Sequence, residues 1–264
     1  MPQINQSGLK ITGKKLPALK RRAKQQVIDF NFPSSQGIGS ITYSTENGIE
    51  KYNCLNLLGG SNGKLSKDDI LTFSLPALLP TKWNEYAHQQ NREPFYQGKV
   101  CNNAGTCASY CYALRSNFAN PNVSGAADFK FYFSQMPQFE GTMVEEIKRK
   151  NPKYVRIHDS GDFYSYEYSK KWMNIANQCQ DVIFYAYTKE YSLFFYGHWN
   201  DRPHNLKIIY SAGAKDSTLW PQIVGNILPH AIIEEHCPKD YTDCSDSDML
   251  AIQNTRIYLH PRNN

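Results

Sequence analysis

The chain has 264 residues, with 29 Lys and Arg against 24 Asp and Glu, seven Cys, 13% aromatic residues and a mean hydropathy of -0.59. That length makes one large domain or two small ones, and 41% hydrophobic residues exclude wholesale disorder. No stretch reaches the roughly 18 to 20 consecutive apolar residues of a membrane helix, and MPQINQSGLK lacks the apolar core of a signal peptide, so the sequence reads as soluble, cytosolic and without membrane contact.

The charge is uneven. Residues 1–24 hold Lys10, Lys14, Lys15, Lys20, Arg21, Arg22 and Lys24 and no acid, which leaves 22 basic against 24 acidic residues in the remainder. Residues 1–40, rich in Gly, Ser and Lys, read as a flexible basic arm. Residues 10–24 would meet a nucleic acid, with a plain solvated arm as the alternative. Residues 41–264 read as a single α/β domain.

Its first part, 41–69, is predicted as a hairpin extension: ITYST and IEKYNCLNLL read as strands around the turn signal Asn47-Gly48, and the run Gly59-Gly60-Ser61-Asn62-Gly63 breaks the chain. From residue 70 the pattern changes. Strands are predicted at 70–75, 154–158, 182–187, 206–211, 231–235 and 256–260, with helices at 138–150, 165–178 and 217–227. Strands about 25 residues apart with helices between them are the mark of parallel βα units. Six units suit a partial (β/α)6 barrel over 70–264, although a doubly wound sheet has the same local pattern. The barrel is favoured because strands run into reactive residues, as in a barrel mouth: His158 into Asp159-Ser160-Gly161-Asp162, Tyr187 into Thr188-Lys189, and IIYSAG into Ser211.

In CNNAGTCASYCYA, five and three residues separate Cys101, Cys107 and Cys111. Clustered thiols in a reducing compartment are ligands more often than disulfides. Three thiolates on one polar loop suit a [4Fe-4S] cluster with its fourth iron open; Zn is the competing metal, though the paired knuckles of zinc ribbons are missing. Cys237 and Cys244, with six residues between them and His236 just before, form a looser pair for a second site, with Cys54 or His230 as further donors, while Cys179 reads as core. His158, Asp159 and Asp162 lie within five residues at a strand end, close enough to perturb one another and serve as acid, base or ligand. Asp-Ser-Gly-Asp is also an ordinary helix-capping turn. Tyr185, Tyr187 and Lys189 share a strand face, which would put Lys189 at the mouth. Trp172, with Tyr168 and Ile175 at helical spacing, is a buried stripe.

The cysteine loop, preceded by NGKLSK and LTFSLPA and followed by VRIHDSGDFYS, Lys171-Trp172 and FYAYTK, resembles the phage gene product 88 domain family, which looks like a relative of radical S-adenosylmethionine (SAM) proteins. The resemblance covers Lys64 to Lys189 and continues more weakly to His260. It implies a radical-SAM-type partial barrel with Cys101, Cys107 and Cys111 on a [4Fe-4S] cluster and Tyr110 beside the third ligand. It also implies SAM on the open iron, its amino group received by Ser160-Gly161-Asp162, and radical chemistry on an unknown substrate. The loop is longer than the C-x3-C-x2-C of radical SAM enzymes. A nucleic-acid-associated protein with a structural Fe-S or Zn site and a basic arm is the second reading. No P-loop, G-x-G-x-x-G, G-x-S-x-G or H-E-x-x-H occurs, which removes the common nucleotide-dependent, hydrolase and zinc-protease templates.

Overall fold

The structure is a computed structural model that describes residues 25–31, 37–60, 65, 68–78, 98–197 and 200–260. The basic residues 10–24 lie outside them, as do Asn62-Gly63-Lys64. Part of the segment expected as an arm is strand: β1 (Gln26–Asn31) pairs antiparallel with β2 (Gly39–Thr45), which pairs antiparallel with β3 (Gly48–Cys54). The predicted hairpin is present, with Glu46 and Asn47 between the paired Thr45 and Gly48. Its positive φ falls on Gly48 at +112°, where a Cβ would be strained, and the Thr45 hydroxyl donates to the Gly48 carbonyl.

A second, eight-stranded sheet carries the six predicted strands: β5 (Ile70–Phe73), β6 (Tyr154–Ile157), β7 (Ile183–Thr188), β8 (Leu206–Ser211), β9 (His230–Ile233) and β11 (Arg256–Leu259). They lie side by side in sequence order and all parallel, with β4 (Gly59–Gly60) antiparallel at one edge and β10 (Thr242–Asp243) at the other. Strand order decides between the two architectures the sequence left open. A doubly wound sheet needs a reversal of order, whereas steps in one direction, each right-handed, place every crossover on one face. The six longer strands are therefore singly wound; the order reverses at one edge, where β10 lies outside β11, and the helix that joins those two packs on the opposite face. The sheet ends at β4 and β10, so it is open, not closed into a barrel.

Packing agrees with that topology. On the outer face Phe73, Val155, Ile157, Phe184, Ala186 and Ile208 join one core with residues of α3 (Phe139–Lys150) and α4 (Tyr166–Gln178). Helix α4 starts at Ser165, whose hydroxyl accepts from the Tyr168 N–H, and its stripe of Tyr168, Trp172 and Ile175 is buried, as the spacing predicts. A third helix, α2 (Pro121–Gln135), opens at Asn120 with Pro121 in its first turn and packs on the three-stranded sheet, where a Cβ at Gly125 would stand 2.4 Å from Tyr52. Phe30, Ile41 and Phe129 belong to the same core as the outer face of the larger sheet.

The inner face of the larger sheet is not a lumen. Ile70, Tyr185, Ile209, Ala231 and Ile257 pack there with Ala251 of α6 (Asp248–Gln253). Lys207 donates to the carbonyls of Ile252 (2.7 Å) and Asn254 (2.6 Å), holding the end of that helix. Two shorter α-helices among the described residues are α1 (Cys107–Tyr110) and α5 (Trp220–Gly225), the latter shorter than the predicted 217–227.

Candidate functional site

The cysteine loop lies between β5 and β6 in the chain and runs across the ends of the next three strands. Asn102 Nδ2 donates to the Tyr164 carbonyl beyond β6 at 3.0 Å. Asn103 donates twice to Glu190 beyond β7, from its backbone N–H (2.9 Å) and from Nδ2 (2.7 Å). Beyond β8, Ala104 bridges Ala214, and the Lys215 N–H donates to the Asn103 carbonyl at 2.9 Å. At Gly105 a Cβ would stand 2.4 Å from the Gly213 carbonyl oxygen, so the loop touches the β8 end backbone to backbone. The loop thus caps the C-terminal ends of β6, β7 and β8, the position at which parallel βα folds carry their chemistry.

All three loop cysteines are half-buried free thiols. Burial pushes the Cys101 thiol well above its usual range, and Asp162, Cys111 and Cys107 raise it further. Burial likewise lifts Cys111 to about 11, with Cys107 adding to the rise while an Ala113 hydrogen bond and Lys189 oppose it. The charges of Cys107, Asp162 and Lys189 thus bear on the protonation of this loop's thiols. Among the described residues, no three His, Cys, Asp or Glu side chains converge closely enough to hold a metal. The donors match a metal that prefers thiolate; their present spacing is open. Cys107 begins α1, and Tyr110, of which only the backbone is described, ends it.

The β6 terminus holds the residues expected to act as acid, base or SAM contacts, and the structure engages each of them internally. His158 sits at φ +68°, is 3% exposed, and its Nε2 lies 2.8 Å from the Tyr168 hydroxyl. Burial, with Arg156 adding to it, drops its pKa to about 3, so it is a neutral packing residue. The Asp159 carboxylate faces Arg156 at 3.6 Å, and its carbonyl accepts from the Tyr112 hydroxyl. Ser160 bonds the Leu75 carbonyl through its hydroxyl and accepts the Leu75 N–H at its own carbonyl (2.9 Å), joining the β5 and β6 ends. Gly161 adopts φ +87°, and a Cβ there would meet Leu75 at 2.6 Å. Asp162 accepts from Thr188 Oγ1 (2.6 Å) and from the N–H groups of Phe163 (2.8 Å) and Lys189 (2.9 Å), fastening β6 to β7. Burial raises its pKa against those three donors.

Tyr185 and Tyr187 share the inner face, as their alternation implies, and Lys189 follows them at the strand end. The Tyr185 hydroxyl donates to Asp248 (2.7 Å), which also pairs with Arg156 at 3.0 Å, and the Arg156 guanidinium lies 5.1 Å from the Tyr187 ring centre. Ser211 offers its carbonyl to the Tyr191 hydroxyl. Cys237 and Cys244 differ in surroundings: Cys237 is exposed, with Sγ near the Pro238 and Tyr241 carbonyls, while Cys244 is fully buried, with Sγ toward Thr242. His230 is buried between the Leu228 carbonyl and the Tyr241 hydroxyl, and Cys54 faces the Asn56 carbonyl.

Sequence reasoning missed Glu190, Arg156 and Asp248. Glu190 is 6% exposed, and burial, with Asp162 nearby, raises its pKa to about 7 against its Asn103 hydrogen bonds. Its only sequence signal was position, one residue beyond Lys189 at a strand end.

Fold and site together define a class: an α/β protein whose open, largely parallel sheet carries a thiol-bearing loop over its C-terminal edge. The chain belongs to the Gene product 88 family, whose model matches residues 56–251, a span that includes the cysteine loop and the strands it caps. It is similar to the Gene 88 protein of Mycobacterium phage L5, at 31% identity over 131 residues, and to that of Mycobacterium phage D29, at 30% over the same length. Each match takes in 45% of this chain and 54% of the relative, so the chain spans about half the length of the curated relatives it matches. No solved structure matches it. These findings support the gene product 88 part of the sequence resemblance; the relation to radical SAM proteins rests on the sequence motifs alone. Among the described residues no helix is long and apolar enough to cross a membrane.

Proposed function

We propose that this protein carries a [4Fe-4S] cluster on Cys101, Cys107 and Cys111 at the C-terminal edge of its sheet, with a reaction centre built around it. The observation that supports the reading is the placement of the loop, tied by Asn102, Asn103 and Ala104 across three successive strand ends. When bound, such a cluster supplies an electron and an open iron site, and SAM is the co-substrate the motif resemblance names for that site. The chain's own part is to deliver three thiolates and shed their protons, since Cys101 and Cys111 are held as thiols and metal binding must deprotonate them. Lys189, beside Cys111, favours the thiolate. The Asp162 carboxylate accepts from Thr188 and Lys189 and so holds β6 to β7 beside the loop.

Anaerobic purification and reconstitution with iron and sulfide test this. The expected product is a brown protein with iron and sulfide in equal amounts, from which Cys101→Ala, Cys107→Ala and Cys111→Ala each remove the colour. Stoichiometric zinc without iron overturns the cluster, and no bound metal overturns the metal centre. Reduction with SAM then decides the second step: release of 5'-deoxyadenosine supports it, and a loaded protein that leaves SAM intact removes it.

A further inference from the structure

We infer that Glu190 is the positioning residue of the cysteine loop, a buried carboxylate clamp that fixes the height of the thiols above the strand ends. The inference deepens the cluster reading and rests on it for its metal arm only. Asn103 is the hub of the loop: its N–H and Nδ2 both donate to Glu190, while its carbonyl accepts from Lys215. The contacts to the β8 side, at Ala104 and Gly105, are made by backbone. From the β7 end the loop is gripped by a side chain, and that side chain is ionisable and buried.

Burying a carboxylate beside a second one, Asp162, is unfavourable unless hydrogen bonds repay it, and the two acids divide that work. Asp162 takes donors from β6 and β7, whereas Glu190 takes its donors from the loop. Glu190 is itself fixed, its N–H donating to Thr188 Oγ1 at 3.0 Å, and that hydroxyl donates to Asp162. A continuous path of hydrogen bonds therefore runs from the β6 turn through Thr188 and Glu190 to Asn103, two residues from Cys101. Side chains that orient metal ligands from behind typically change metal affinity roughly 10- to 100-fold when removed.

The test compares Glu190→Ala and Glu190→Gln with the wild-type full chain. In metal-free protein, iodoacetamide alkylation is followed peptide by peptide, with exposed Cys237 as the reference rate and buried Cys179 as the reporter of global unfolding. Glu190→Ala is expected to alkylate several-fold faster at Cys101, with Cys237 and Cys179 unchanged, and Glu190→Gln, which keeps an acceptor for the Asn103 N–H, to restore most of the protection. Equal Cys101 rates in wild type and Glu190→Ala overturn the clamp. If Glu190→Ala also opens Cys179, Asn103→Ala decides by the same comparison, since it removes one of the two bonds and leaves the carboxylate in place. In the metal arm, the iron affinity of Glu190→Ala should fall roughly 10- to 100-fold. Failure of the wild type to take up iron overturns the cluster and leaves the clamp to be judged by alkylation alone.

Discussion

His158 shows how a residue that looks reactive in sequence becomes structural in place. Its ring lies 4.7 Å from Phe163 and meets the Tyr168 hydroxyl, in surroundings that keep it neutral down to about pH 3. An unfolded His titrates near 6.5. Between those values the unfolded chain binds a proton that the folded chain refuses, so this residue's effect is to lower stability as pH falls below about 6.5, by about 1.4 kcal/mol per pH unit until its folded pKa is approached. His158→Asn suits the left-handed backbone and does not titrate. Urea titrations from pH 7 to pH 4 should show the wild type losing stability relative to this variant at about that slope; parallel curves would mean that His158 is protonated in the fold. The clustering of His158, Asp159 and Asp162 was legible in the sequence, but their roles were not. Those roles are set by Tyr168, Arg156 and Thr188, whose approach depends on the turn and on the neighbouring strand. Glu190 was harder still, because the group that explains its burial, Asn103, is 87 residues away in the chain.

At the scale of elements, the six parallel strands were readable because each is a short apolar or aromatic run ending in polar residues. Helix α2 was not. It is buried against β2 and β3 and against the main core, so Ala127, Phe129, Phe131, Tyr132 and Phe133 are covered on several sides and the segment lacks one clean apolar stripe. Strand β1 escaped detection because its pairing partner, β2, defines it better than its own residues do. The turn after β6 carries the element-scale prediction. Gly161→Ala puts a Cβ 2.6 Å from Leu75 in a backbone conformation that L-residues avoid. It should cost about 2 kcal/mol or more, measured by thermal or urea unfolding, and a neutral result would show that the β5 end yields easily.

Across the whole molecule, local pattern identified βα units but not their winding; strand order supplied that, and order is a property of long-range pairing. The inner face supplies the corresponding energetic test. The half-buried Arg156 of β6 pairs with the fully buried Asp248 of α6, with Tyr185 bonding the same carboxylate oxygen. Asp248→Ala leaves Arg156 with Asp159 at 3.6 Å as a partner but takes the acceptor from the Tyr185 hydroxyl, so it should destabilise by about 1 to 3 kcal/mol, whereas the double replacement Arg156→Met/Asp248→Leu should recover part of that loss. Urea unfolding of the set measures both, and a double variant as unstable as Asp248→Ala would point to α6 packing as the real contribution.

That ion pair also sets an order of events during synthesis. The outer face is covered by helices that leave the ribosome between the strands they cover, so most of its packing is local and can form as the chain emerges. The inner face waits for Asp248, 92 residues after Arg156. Until then Tyr154, Tyr187 and the guanidinium lack the cover that α6 gives them, and exposed apolar surface of that kind is what nascent chains lose to aggregation. A chain halted before α6 would be a half-covered sheet and a natural client for a chaperone, with its cysteine loop already in place above a fold that has yet to close beneath it.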